Sequence, residues 1–210
     1  MTTAPIESAL RPLADPGRAV GMAAYMRDQF AFLGVGAVER RKATRGLLPR
    51  LLDRELVDAL LALPEREFHY VACDHLRKVP LESTDVDFLR SVVTTRSWWD
   101  TVDALVTPVG RACTPEQMRA WARDGNMWVR RMAVLHQLGR REATDTALLA
   151  EILTMNLGSR EFFIDKAVGW ALREYSKTDP AWVRGFLDTH EVAALTRREA
   201  SKHLERPTPR

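Results

Sequence analysis

Apolar residues recur at helical spacing along almost the whole chain, and alternating strand-like patterns are weak. Between residues 17 and 33 they mark one face of a helix, which Gly34 would end. The same spacing predicts helices over 53–63, which stops before Pro64, and over 65–78. Further helices are predicted over 83–93, 127–138, 144–155, 160–176, 180–189 and 196–205. The pattern therefore predicts an all-α fold.

Capping residues mark several of the helix starts. Ser83 is a candidate N-cap. Thr114 precedes Pro115 and lies three residues before Gln117, which is the order of a capping box. Asp179, followed by a proline, begins another helix in the same way.

A repeat of about 33 residues runs through the predicted helices. Alanines occur at 72, 104, 133, 167 and 200, and three of them follow an aromatic residue by five positions. Helix pairs at such a period are typical of a stacked, superhelical α-solenoid, here with about six pairs. An irregular helical bundle is the alternative. We expect one domain over 1–205 and a frayed tail at 206–210, where prolines prevent a helix.

The composition is that of an ordinary globular protein, with 46% apolar and 28% charged residues, which excludes a disordered chain. The net charge is only +3, but its distribution is uneven. Residues 1–95 are balanced, whereas residues 96–210 carry 18 basic and 15 acidic side chains. The second half is therefore where a groove for a polyanion is expected.

Nothing in the sequence indicates a metal, a cofactor or a membrane. The two cysteines, Cys73 and Cys113, do not form a CxxC motif, and the five histidines lack metal-ligand spacing. The start of the chain lacks the features of a signal peptide, and no apolar run approaches about 18 residues. We expect a cytoplasmic monomer.

The segment 96–103 has an unusual composition, because it contains two adjacent tryptophans and two acidic residues. In a helix, Trp99 and Asp103 share one face, one turn apart. An indole face beside a carboxylate attracts positive charge. The alternative is that Trp98 and Trp99 are core residues and Asp103 is a solvated acid.

Cations recur near the repeat alanines. If the second helix of each pair lines one face, that face carries one carboxylate among several cations: Asp103, Arg131, Lys166, Arg173, Arg198 and Lys202. This pattern fits an acid surrounded by phosphate contacts, although each cation alone could simply be a solvated surface residue.

Several strings resemble the AlkD family of alkylpurine DNA glycosylases. They are Ser97-Trp-Trp-Asp-Thr-Val-Asp103, Trp128-Val-Arg-Arg131 and the long segment 161–180, which contains Lys-Ala-Val-Gly-Trp-Ala-Leu-Arg-Glu-Tyr. Shorter matches extend the resemblance over nearly the whole chain. Segment 36–41 departs from the family pattern, since Gly36 and Val38 stand where relatives often carry a polar residue and a proline. Contacts from the first repeat are the ones this departure affects.

The resemblance implies a solenoid of HEAT-like repeats that binds duplex DNA in a basic groove. It implies hydrolysis of the N-glycosidic bond of cationic N3- and N7-alkylpurines, such as 3-methyladenine and 7-methylguanine, without a base-flipping pocket. Asp103 matches the catalytic carboxylate, and Arg131 an arginine that grips phosphate. Trp99 and Trp170 match aromatic residues at the damaged nucleotide, and Tyr25 a tyrosine near the DNA.

Two other functions remain open. A relative could bind DNA without excising bases, or the solenoid could be a protein-binding scaffold, which would not need one acid among cations. No nucleophilic lysine is evident, so a monofunctional glycosylase is expected, with Lys166 binding phosphate.

Overall fold

The computed structural model describes residues 2–204, and over that range the fold is all-helical. The described residues form fourteen α-helices and three 3-10 helices, with one isolated bridge between Ala31 and Glu65 as their only strand-type pairing. The predicted all-α, helical-repeat fold class is confirmed. None of the described helices combines the length and the apolar character that a membrane span requires.

The chain divides into two compact units, Met1–Leu81 and Glu82–Arg210. A single domain over 1–205 therefore stays a prediction, and the predicted frayed tail at 206–210 lies outside the described residues.

The first unit contains α1 (Ala4–Leu10), α2 (Pro16–Tyr25), α3 (Ala37–Ala43), α4 (Arg54–Ala62) and α5 (Arg66–Leu76). The predicted helix over 17–33 is too long, because Arg27 and Asp28 adopt left-handed φ angles of 55° and 56° and interrupt it. The segment that follows is anchored by Glu67. Its fully buried carboxylate accepts three backbone N–H groups between residues 33 and 35 at 2.9–3.1 Å.

Up to residue 204, the second unit contains nine α-helices: α6 (Val86–Thr94), α7 (Trp99–Ala104), α8 (Val106–Ala112), α9 (Pro115–Trp121), α10 (Met127–Leu135), α11 (Thr146–Asn156), α12 (Phe162–Tyr175), α13 (Pro180–Thr189) and α14 (Ala194–Ser201). Helix α10 packs against α7, α9, α11 and α12, and α12 packs against α14. Ala133, Ala167 and Ala200 are fully buried in α10, α12 and α14, as the repeat predicts, whereas Ala104 at the end of α7 is only half-buried. Small residues there let successive helices pack closely.

Local signals explain where these helices begin. The capping box is confirmed: Gln117 N–H donates to Thr114 Oγ1 at 3.3 Å, and Thr114 N–H donates to Gln117 Oε1 at 2.8 Å. Ser83 instead begins a 3-10 helix, and α6 starts at Val86. The segment 96–103 becomes helical only at Trp99, because the preceding residues are in left-handed and extended conformations.

The core also contains a histidine with a strongly shifted pKa. His136 follows α10, is buried, and its Nδ1–H donates to the Ala133 carbonyl at 2.6 Å. Burial lowers its pKa from 6.5 to about 4. The His136 imidazole therefore stays neutral in the folded protein down to about pH 4, whereas in the unfolded chain it binds a proton below about pH 6.5.

His136 should accordingly make the protein less stable in mild acid. Stability falls as the pH drops from 6.5 towards 4, because the unfolded state binds more protons over that window. At pH 5 the loss should be about 2 kcal/mol relative to pH 7.5. Chemical denaturation of the parent protein and of His136→Asn, whose amide can replace the Nδ1–H donor, measures the difference. Parallel pH dependences in the two proteins would contradict it.

Candidate active site

Asp103 and Arg131 form a bidentate ion pair between α7 and α10. Arg131 Nε donates to Asp103 Oδ1 and Arg131 Nη2 donates to Asp103 Oδ2, both at 2.8 Å. The third nitrogen, Nη1, donates to the Phe163 carbonyl at 2.6 Å. The Arg131 side chain is only 3% exposed, whereas that of Asp103 is 16% exposed. The arginine is thus buried behind a carboxylate that retains access to solvent.

This geometry bears on the expected role of Arg131. Each of its three guanidinium nitrogens already donates within the protein, and almost none of its side chain reaches the surface. A contact with phosphate would require it to leave Asp103. The pair instead fixes the direction of the carboxylate, since a bidentate arginine contact constrains both oxygens.

Two opposing effects act on the pKa of Asp103. Burial raises the pKa above the ordinary aspartate value, and the hydrogen bonds and charge of Arg131 oppose that shift. Asp100 also raises the pKa, whereas Lys166 lowers it. The influence of Lys166 shows that this cation on α12 lies within electrostatic range of the carboxylate.

An aromatic cluster packs beside the ion pair. The rings of Trp98 and Trp128 lie 5.8 Å apart, and Phe163 lies 5.4 Å from Trp98 and 4.9 Å from Trp128, between ring centroids. The Arg131 guanidinium is 6.0 Å from the Phe163 ring. The cluster joins α7, α10 and α12 at the point where Asp103 is held. Trp98 belongs to it as the extended residue that precedes α7.

Helix α12 presents a row of aromatic and basic side chains. Phe162, Lys166, Trp170 and Arg173 are spaced by four, four and three residues and therefore share one face. Phe162 is 53% exposed, and the Lys166 ammonium lies 5.7 Å from the centroid of its ring. The opposite face is buried in the core through Ile164, Ala167, Val168, Ala171 and Leu172.

The other side chains predicted to contact DNA lie in three different environments. Arg173 and Lys202 both bind the carboxylate of Glu199. Arg198 is exposed on α14, and Trp99 is half-buried one helical turn before Asp103. Tyr25 belongs to the first unit, at the end of α2, and is 71% exposed.

The first unit also contains the segment that departs from the family pattern. Gly36 is the N-cap of α3, and its N–H donates to the carboxylate of Glu39 at 3.0 Å. Val38 is exposed on the first turn of that helix. Gly36 and Val38 thus belong to the start of α3.

The sequence does not identify three features of this site. Phe163 contributes both a ring and a carbonyl group, whereas the aromatic repeat points only to its neighbour Phe162. The helical pattern favours core positions for Trp98 and Trp128, although both are only half-buried. Glu199 lies in a basic stretch and follows no motif. A count of acids near the cations of α14 could have found it.

These features define a helical-repeat protein that holds one carboxylate among aromatic rings and cations. The sequence profile of the DNA alkylation repair enzymes matches residues 6–204, and the chain belongs to that family. A search of curated proteins gives no match.

The solved structures that are similar to the chain include the following two. One is described as a predicted DNA alkylation repair enzyme from Enterococcus faecalis. It is 33% identical, has a TM-score of 0.84, and the match covers 92% of this chain and 98% of that one. The other is the Pseudomonas fluorescens alkylpurine DNA glycosylase AlkC, bound to DNA containing an abasic site analogue. It is 20% identical, has a TM-score of 0.55, and the match covers 96% of this chain and 60% of that one. The latter similarity concerns the fold alone.

Proposed function

We propose that this protein is a DNA glycosylase of the AlkD type. It removes cationic N3- and N7-alkylated purines from duplex DNA in the cytoplasm, as a monofunctional enzyme without a base-flipping pocket. The observation that carries the proposal is the bidentate pair of Asp103 and Arg131, which holds a partly accessible carboxylate beside aromatic rings and Lys166. Membership of the DNA alkylation repair enzyme family supports it.

The chemistry of an alkylated purine suits a site with one carboxylate. The bond between C1′ and the purine nitrogen breaks with its electron pair going to the base, and a cationic base leaves as a neutral molecule. The deoxyribose becomes an oxocarbenium ion, which a fixed carboxylate stabilises. Water then attacks C1′ and gives up a proton, with Asp103 as the acceptor, to leave an abasic site.

Arg131 is a positioning residue in this proposal. It holds the carboxylate in one orientation before the substrate arrives, so that no reorganisation is required as charge develops on the sugar. Trp99 and Trp170 would contact the damaged nucleotide through their ring faces, which attract positive charge. Lys166, Arg198 and Tyr25 would contact the DNA backbone.

The direct test is the release of 7-methylguanine from methylated duplex DNA, followed by chromatography of the free base. The same preparation should not release unmodified purines. They would have to depart as anions, and the proposed mechanism includes no acid that protonates them. Release of 3-methyladenine in parallel reactions would establish the order of preference. A protein that binds the duplex but releases neither base would contradict the proposal.

Binding to unmodified duplex DNA should depend steeply on salt. Each phosphate that a cation neutralises contributes about −0.9 to the slope of log affinity against log salt concentration. Lys166→Gln should therefore make the slope shallower by about 0.9. Lys177→Gln is the matched control, because Lys177 lies just beyond α12 and pairs with Glu174. Fluorescence anisotropy titrations at several salt concentrations give both slopes, and identical slopes for the two variants would exclude a phosphate contact by Lys166.

A second candidate is a relative that binds DNA without excising bases. One observation favours it: both oxygens of Asp103 accept hydrogen bonds from Arg131, as in a purely structural ion pair. This candidate predicts the same salt dependence but no released base. The excision assay therefore separates the two functions, and the binding assay does not.

A further inference from the structure

Two of the cations on the second unit converge on one acid. Arg173 Nη1 donates to Glu199 Oε2 at 2.5 Å, and Lys202 Nζ donates to Glu199 Oε1 at 2.6 Å and to Oε2 at 2.7 Å. Glu199 is buried, whereas Arg173 and Lys202 retain exposed surface. The acid thus lies beneath two cations, one on α12 and one just beyond the end of α14.

The helices approach closely at this acid. A Cβ atom on Gly169 of α12 would lie 2.6 Å from Glu199 Cβ and 2.9 Å from the Thr196 carbonyl oxygen, so only glycine fits. Thr196 Oγ1 also donates to the Asp165 carbonyl at 2.8 Å. These contacts fix the backbone that carries Glu199 against α12. The hydrogen bonds from Lys202, together with the charge of Arg173, hold the pKa of Glu199 below its usual value, so the acid is ionised at neutral pH.

We infer that Glu199 positions Arg173 and Lys202 as a two-cation clamp for a phosphodiester of the DNA backbone. This inference rests on the proposed function, because it places the clamp on the face of α12 that carries Trp170, one turn from Arg173. The cluster keeps a net charge of +1. Among residues 2–204, Arg173 donates to Glu199 through one nitrogen only, and its other N–H groups face no partner there and can contact a phosphate.

The effect of removing Glu199 on DNA binding distinguishes a positioning role from a purely electrostatic one. An acid that merely reduces the positive charge of the surface should weaken DNA binding, so its removal should strengthen it. An acid that positions two long, flexible cations should strengthen binding, because ordering each such side chain at an interface costs roughly a factor of two to twelve in affinity. The sign of the change therefore identifies the role.

The experiment measures affinity for unmodified duplex DNA against salt. Glu199→Gln should weaken binding by about fivefold to tenfold although it removes one negative charge from the surface. It should also make the salt slope shallower by about 0.9 for each phosphate that the clamp no longer neutralises. The matched control is Glu174→Gln, which removes the same charge from the pair with Lys177; Glu174 lies in the last turn of α12, next to Arg173. The control should leave the affinity for DNA unchanged or raise it slightly.

A second variant guards against loss of folding. Glu199→Asp keeps the charge but moves the carboxylate back by one methylene from both cations, so it should weaken binding by at least about threefold. Thermal unfolding of each variant confirms that it is folded at the assay temperature. If Glu199→Gln matches or exceeds the parent affinity, or if Glu199→Asp is unchanged, the inference is overturned. Excision of 7-methylguanine by the parent is scored separately, so failure of the clamp and failure of the glycosylase proposal give different results.

Discussion

Asp103→Asn should lower the single-turnover release of 7-methylguanine by about 10²–10³, or roughly 2.7–4 kcal/mol of barrier, the usual loss when one preorganised electrostatic group is removed. The amide keeps the size of the side chain but removes the negative charge that would face C1′. Its NH₂ group would also point at a nitrogen of Arg131, so one of the two hydrogen bonds at 2.8 Å is lost. Binding to DNA should hold or strengthen slightly, because an acid has left a cationic surface.

Asp100→Asn provides the matched control for that measurement. Asp100 lies on the same helix, three residues earlier, and the substitution is chemically identical. It should change the rate by less than about threefold, because the direction of the Asp103 carboxylate is set by Arg131. Trp99→Ala should have an intermediate effect, since a cation–π contact contributes about 0.5–2 kcal/mol. A folded Asp103→Asn protein that excises at the parental rate would favour the non-catalytic DNA-binding protein.

Much of this arrangement could be predicted from the sequence because it follows from periodicity. The helical fold and the burial of four of the five repeat alanines, Ala72, Ala133, Ala167 and Ala200, both depend on spacing within or between helices. The boundaries were less accurate where backbone conformation changes abruptly. The spacing of polar and apolar residues continues across the turn at Arg27, so the pattern predicts a helix up to residue 33. The left-handed φ angle of Arg27 instead ends α2 at Tyr25, eight residues earlier.

The contacts between helices could not be predicted in the same way. Spacing placed Asp103 and Arg131 on one face, but it did not show that the arginine would be buried behind the acid. Nor did it show that Glu199 would meet Arg173 across the gap that Gly169 leaves open. Such pairs depend on the distance between helices, which is set by residues far apart in the chain.

Arg131→Met should lower the free energy of unfolding by about 3–5 kcal/mol, because it leaves a largely buried carboxylate without its partner. The matched control is Arg90→Met. Arg90 makes the same kind of charged contact, to Asp124 at 3.0 and 2.6 Å, but its side chain is 42% exposed. The Asp124 side chain is as little exposed as that of Asp103, at 16%, but it keeps a hydrogen bond from the Asn126 N–H at 2.8 Å when Arg90 is removed. That control should therefore lose only about 1 kcal/mol, since an ion pair with a half-exposed partner contributes little.

The variant should also change how excision depends on pH. Arg131 opposes the rise in the pKa of Asp103 that burial causes, so its removal should raise that pKa further. Excision by folded Arg131→Met should therefore be lost at a higher pH than in the parent, because the protonated acid cannot stabilise a cation. The double variant Asp103→Leu, Arg131→Met should regain most of the stability and none of the activity. If Arg131→Met instead keeps its stability and its pH profile but loses affinity for unmodified DNA, Arg131 binds phosphate and does not position the acid.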